Sequence, residues 1–128
     1  SKENIFYYIQ YAHARIFSLE KKFNEVHPNL EVNINTIENN IYKKCDSLIH
    51  EITKYPNIIN KSSYTLQPHL IIFYLRDLSQ LFHSYYNDNH VLSESEENMQ
   101  SIIFCLSAVR QTIANGLKVL GITPMKKM

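Results

Sequence analysis

The sequence predicts an all-α fold: an antiparallel helical bundle of about four main helices plus a short one. Two observations carry this. Apolar residues recur at the helical period in four long segments, and 128 residues hold only two glycines and four prolines, too few for the many turns of a β-rich fold. Hydrophobic residues make up 45% of the chain, as in ordinary globular proteins, and residues 1–128 read as one domain that buries about two-thirds of its unfolded surface.

The first helix is announced by Ile5, Ile9, Ala12, Ile16, Leu19 and Phe23, spaced 4, 3, 4, 3 and 4. At about 100° per residue they fall within roughly 40° of one line. Ile34, Ile37, Ile41, Leu48 and Ile52 form a second stripe, which stops at Tyr55-Pro56 because proline disfavours helical geometry in the residue before it. A short helical piece is expected from Pro56 to about Lys61. Pro68 suits the first turn of the next helix, where its missing N–H would have no intrahelical partner anyway. That helix turns Ile71, Leu75, Leu78, Phe82 and Tyr85 inward and ends near Asn87-Asp88-Asn89. Ser93 with Glu96 reads as a capping box. The last helix then runs from about Ser95 to Leu120, with Met99, Ile102, Leu106, Val109, Ile113, Leu117 and Leu120 inside. Gly121 is expected as a left-handed cap, Ile122 as its folded-back apolar contact, and Gly116 as either a close helix crossing or a tolerated lapse.

Composition excludes several classes. A net charge of +1 provides no broad electrostatic footprint for nucleic acid, though a few splayed bases could still be read. Cys45 and Cys105 form no C-x-x-C pair, so neither a disulfide framework nor a zinc site is expected, and a reducing, cytoplasmic compartment suits them. No apolar run approaches the ~20 residues of a membrane span, and no signal peptide is read. Phosphate loops, nucleophile elbows and metalloprotease pairs are missing too. His13, His27, His50, His69, His83 and His90 contain no i, i+4 pair, and His13, beside the core stripe, reads as a hydrogen-bonded structural residue. Arg110 is expected to pair with Asp77, and Arg76 to be solvated.

Nine tyrosines and no tryptophan make a skewed aromatic set. Tyr8, Tyr11 and Arg15 stand at i, i+3 and i+7, roughly 60–120° around the helix from its core line, at the border of core and solvent. Two readings fit such rings. They either cap the core with hydroxyls in water, or they stack unpaired bases.

The segment Tyr8-Ile9-Gln10-Tyr11-Ala12-His13-Ala14-Arg15 has a counterpart at the other end of the chain. There, Arg110-Gln111-Thr112-Ile113-Ala114-Asn115-Gly116-Leu117 is followed by Leu120-Gly121-Ile122-Thr123-Pro124 and a final Met128. Together these resemble the C-terminal, DALR-type anticodon-binding domain of arginyl-tRNA synthetases. Asp77-Leu78 through Phe82-His83-Ser84-Tyr85-Tyr86 is similar to that family's next helix. The resemblance covers essentially the whole chain and implies an excised part of a longer enzyme. It assigns Tyr11, Arg15, Tyr86 and Met128 to the anticodon loop, with the family's C-terminal methionine closing the pocket by side chain and carboxylate, and Tyr8, on the same helix border, is counted with them.

Further expectations follow from the resemblance. The partners would be arginine tRNA and a catalytic domain of the same chain, in a monomeric cytoplasmic enzyme. That parent would use ATP with magnesium, while this part holds no cofactor or metal and catalyses nothing. All arginine codons pair with a middle anticodon cytosine, so one base would be read. The chain departs from the family at His90, where arginine is frequent, and at Lys126-Lys127, where an acidic–basic pair is frequent. A related class I synthetase domain and a stand-alone helical interaction module are the competing readings.

Overall fold

A computed structural model describes residues 2–30 and 34–128. The side chains of 2, 3, 34, 36 and 39–44 lie outside that description, and with them Ile34 and Ile41 of the expected second stripe. Helix α1 spans Lys2–Val26, α2 Ile34–Ile52, α3 Tyr55–Thr65, α4 His69–Asp88 and α5 Glu96–Val119, with a 3-10 turn at Val91–Ser93. Contacts along the helices fix their directions. Gln10 meets Thr123 while Glu20 meets Arg110, so α1 and α5 run antiparallel. Tyr74 reaches the Glu51 carbonyl and Tyr85 meets Cys45, which sets α2 against α4. The result is the expected helical bundle of four main helices plus a short one, with α3 as a short bridge.

Ile9, Ala12 and Ile16 of α1 are fully enclosed, as are Leu75, Leu78 and Phe82 of α4 and Ile102, Leu106, Val109, Ile113 and Leu117 of α5. These are the stripes that the 3.6-residue period marks out. Gly116 is a close crossing. A Cβ placed there would stand 2.8 Å from Leu75 Cδ2 and 2.9 Å from Cδ1, so α4 and α5 approach only because the side chain is missing. Gly121 has φ +79. Its N–H donates to the Lys118 carbonyl at 2.9 Å, and that of Ile122 to Leu117 at 2.8 Å, the paired hydrogen bonds of a Schellman ending.

Helix α3 opens at Tyr55-Pro56 as expected, because proline is well suited to a first helical turn, but other expectations change. That helix continues past Lys61 to Thr65 and ends on Leu66, a left-handed residue with φ 53 and no glycine to signal it. Helix α2 bends at Cys45, whose backbone (φ −136, ψ 27) leaves the helical region. Ser93 does not cap α5, since it is used in the 3-10 turn that buries Val91. Ser95 is the cap instead, its hydroxyl accepting from Asn98 N–H at 3.3 Å.

Arg110 does not pair with Asp77. Its guanidinium grips Glu20 with two bonds of 2.6 and 3.2 Å across the α1–α5 seam, both groups being mostly buried. The helical register brings Glu20 to Arg110, whereas Asp77 lies on the exposed side of α4 and takes neighbouring Arg76 at 3.0 Å. Cys45 and Cys105, remote in sequence, meet in the core as free buried thiols. The hydrogen bond to Cys45, then burial, pushes the Cys105 thiol pKa up, and Cys45 also donates to the Tyr85 hydroxyl at 3.7 Å.

Candidate functional site

The segment after α5 turns back along α1 and is held there by two buried side chains. Gln10 Nε2 donates to the Thr123 carbonyl at 2.9 Å, and its Oε1 accepts from Met125 N–H at 2.8 Å. His13 Nδ1 donates to the Met125 carbonyl at 2.6 Å. A carbonyl can only accept, so Nδ1 carries the proton and the structural reading of His13 holds. Burial, the largest influence, pushes the His13 pKa below its ordinary value, against the pull of the Met125 carbonyl. Met125 is thus fixed to α1 through both of its backbone groups, three residues before Met128.

This anchoring creates a cleft between α1, the end of α4 and the tail. Its volume is about 270 Å³, and its lining includes Tyr11, Arg15, Ser18, Lys22, Tyr86, Lys126, Lys127 and Met128. The structure therefore brings four of the five expected site residues, Tyr11, Arg15, Tyr86 and Met128, into one cavity. The Arg15 guanidinium lies 4.0 Å from the centre of the Tyr86 ring and 5.2 Å from that of Tyr11. Such a cation over ring faces is attracted by their quadrupoles. Among the described residues Arg15 has ring contacts but no hydrogen-bonded acceptor, which leaves its N–H fork available. Lys22, Lys126 and Lys127 add positive charge, and none of the lining side chains is acidic.

Tyr8 does not line this cleft. It packs on His83 with ring centres 4.8 Å apart, while His83 also stacks beneath Tyr11 at 5.5 Å and 26°. Burial first, and the nearby Arg15 charge second, lower the His83 pKa, partly offset by the Tyr8 backbone. The Tyr11 ring therefore rests on a neutral imidazole. Ser18, Lys22 and Gln10 were not identified from the sequence. The first two were within reach, because Tyr11, Arg15, Ser18 and Lys22 recur at 4, 3 and 4 along α1. Gln10 gave only the weak signal of a polar residue next to the core stripe.

The geometry can be set beside known proteins. A family profile described as the DALR anticodon binding domain matches residues 9–128. The chain belongs to the DALR anticodon-binding domain family. This DALR domain is 35% identical over 128 residues to an arginine–tRNA ligase of Paraburkholderia phymatum, covering 98% of the chain and 22% of the relative. It is 36% identical to an arginine–tRNA ligase of Geobacter metallireducens, covering all of the chain and 23% of that protein. Among solved structures, a Campylobacter jejuni chain described as an arginyl-tRNA synthetase superposes with a TM-score of 0.76. There the identity is 25%, over the whole DALR domain and 27% of that chain. The domain thus spans about a quarter of the proteins it matches. No helix among its described residues is long and apolar enough to cross a membrane, and no group of potential metal ligands occurs among them.

Proposed function

We propose that this DALR domain recognises the anticodon for an arginine–tRNA ligase, with its cleft receiving the middle cytosine of arginine anticodons. The observation that carries the reading is Arg15, set over the Tyr86 ring and beside that of Tyr11 in a basic cavity that Met128 helps to line. Single-stranded bases are recognised by stacking on aromatic or guanidinium planes and by hydrogen bonds to their edges. Arg15 offers both a plane and a fork of donors, which suits the two acceptors on the pairing edge of cytosine. Tyr8 contributes at one remove, through His83, which supports the Tyr11 ring. The lysines at the rim suit the flanking phosphates, which position the loop without specifying it.

The full enzyme would attach arginine to its tRNA with ATP and magnesium on a catalytic domain of the same chain; none of the residues described here is assigned to those steps. We place the enzyme in the cytoplasm as a monomer, a setting in which Cys45 and Cys105 stay reduced.

The test is binding of this chain to a fluorescent arginine anticodon stem–loop, and to one whose middle cytosine is replaced by uracil. Weak but measurable binding to the first and still weaker binding to the second is expected. Arg15→Ala should lose about 1–3 kcal/mol with the cytosine loop. Met128→Ala should narrow the difference between the two loops. Equal affinity of the unaltered chain for both would overturn the reading.

A further inference from the structure

The cleft does not end at Tyr11. Tyr7, one helical turn earlier on α1, is 61% exposed, and its ring lies almost parallel to that of Tyr11, 9° apart with centres at 6.2 Å. Tyr7, Tyr11 and Arg15 thus stand at i, i+4 and i+8 and carry three flat groups along one edge of the helix. Only the inner two face the cavity. Tyr7 extends their line past its rim and presents an aromatic ring to solvent.

The Tyr7 ring is unlike its neighbours. Tyr8 is packed on His83, Tyr11 is propped by the same imidazole, and Tyr86 is covered by Arg15. The single ring contact of Tyr7 among the described residues is the parallel one with Tyr11. A large exposed aromatic group in fixed register with a ligand-sized cavity suits a ligand longer than the cavity, one that repeats a flat unit along its length. Consecutive bases of a single-stranded loop have that chemistry. Base–ring stacking is tolerant of sequence, because every base has a π-face.

We propose that Tyr7 is a second stacking platform, taking a base next to the one held in the cleft, whatever its identity. This rests on the nucleic-acid reading of the cleft but adds a contact that reads no sequence. It also makes the site at least two nucleotides long.

The experiment is a double-mutant cycle on binding of the 128-residue chain to an anticodon stem–loop. One axis is Tyr7→Ala, with Tyr7→Phe as the ring-preserving control. The other axis is an abasic site placed on either the 5′ or the 3′ side of the middle anticodon base. Tyr7→Ala should weaken binding to the intact loop roughly 5- to 150-fold, the range for one lost base–ring stack, and Tyr7→Phe should bind as the unaltered chain does. On the loop abasic at one of the two positions, Tyr7→Ala should cost nothing further, because the base it stacked is already gone. An equal penalty on the intact loop and on both abasic loops would overturn the platform, leaving Tyr7 as a helix-stabilising partner of Tyr11. That outcome would leave the cleft reading standing, provided the unaltered chain still distinguishes cytosine from uracil in the middle position. Loss of that distinction with the Tyr7 coupling intact would do the reverse. No binding by the unaltered chain at all would remove both.

Discussion

Gln10 shows how much one side chain can decide here. Its amide works in both directions at once, giving a hydrogen bond to Thr123 and taking one from Met125. Gln10→Ala should therefore free the tail while leaving α1 helical. The expected cost is about 1–3 kcal/mol in urea unfolding, since two hydrogen bonds, each worth about 0.5–1.5 kcal/mol, are lost together. Hydrogen exchange at the Met125 amide should rise toward that of an unstructured peptide. A still-protected Met125 amide would show that His13 alone holds the strand. Residue-level legibility was uneven for related reasons. Arg15, Tyr11, Tyr86 and Met128 stood out because they sit in segments that resemble a known family. Gln10 did not, because its role depends on where the backbone of a distant segment passes. Arg110 was read as an interior cation needing a carboxylate, and it has one. The choice of Glu20 over Asp77 depends on the rotational setting of two helices, which one sequence does not state.

Elements were easier to read than their ends. The inward stripes of α1, α4 and α5 follow from the helical period alone, because each helix has to bury one face. Ends depend on a few backbone angles. Gly121 was legible as a left-handed residue because glycine is the usual signal for it, and Leu66 was not because it adopts the same region with a side chain. The bend at Cys45 has no proline or glycine to announce it. Gly116 gives the sharpest test at this scale. Alanine there would gain about 1 kcal/mol of helix propensity. Its methyl would also meet Leu75, which is fully enclosed and has no solvent to swing into. Overpacking of this kind costs typically about 1–3 kcal/mol. We expect Gly116→Ala to lower the melting temperature, and adding Leu75→Val to recover part of the loss. A Gly116→Ala protein that melts higher than the unaltered chain would mean that α4 and α5 can separate freely.

At the scale of the molecule, two buried histidines tie the fold to pH. The pKa values of His13 and His83 both lie below the ordinary 6.5, chiefly through burial. As pH falls, the unfolded chain binds protons before the folded one does. The stability these residues contribute is thus complete above about pH 6.5 and is lost as pH falls toward their folded-state values. The slope approaches at most about 1.4 kcal/mol per pH unit for each histidine. Urea midpoints measured from pH 7.5 to 5 should fall accordingly, and His13→Gln with His83→Gln should flatten the curve. A midpoint that holds level to pH 5 in the unaltered chain would count against buried neutral imidazoles. The bond between Gln10 and Met125 also has a meaning in time, because it joins positions 115 residues apart. A ribosome adding about 5–20 residues per second takes on the order of ten seconds to cover that distance. Through most of that interval Tyr11 and Arg15 have been made, yet the wall that Met128 helps to supply has not. A nascent chain that stalls late in α5 would hold Tyr11, Arg15 and Tyr86 but not the tail that completes their cleft.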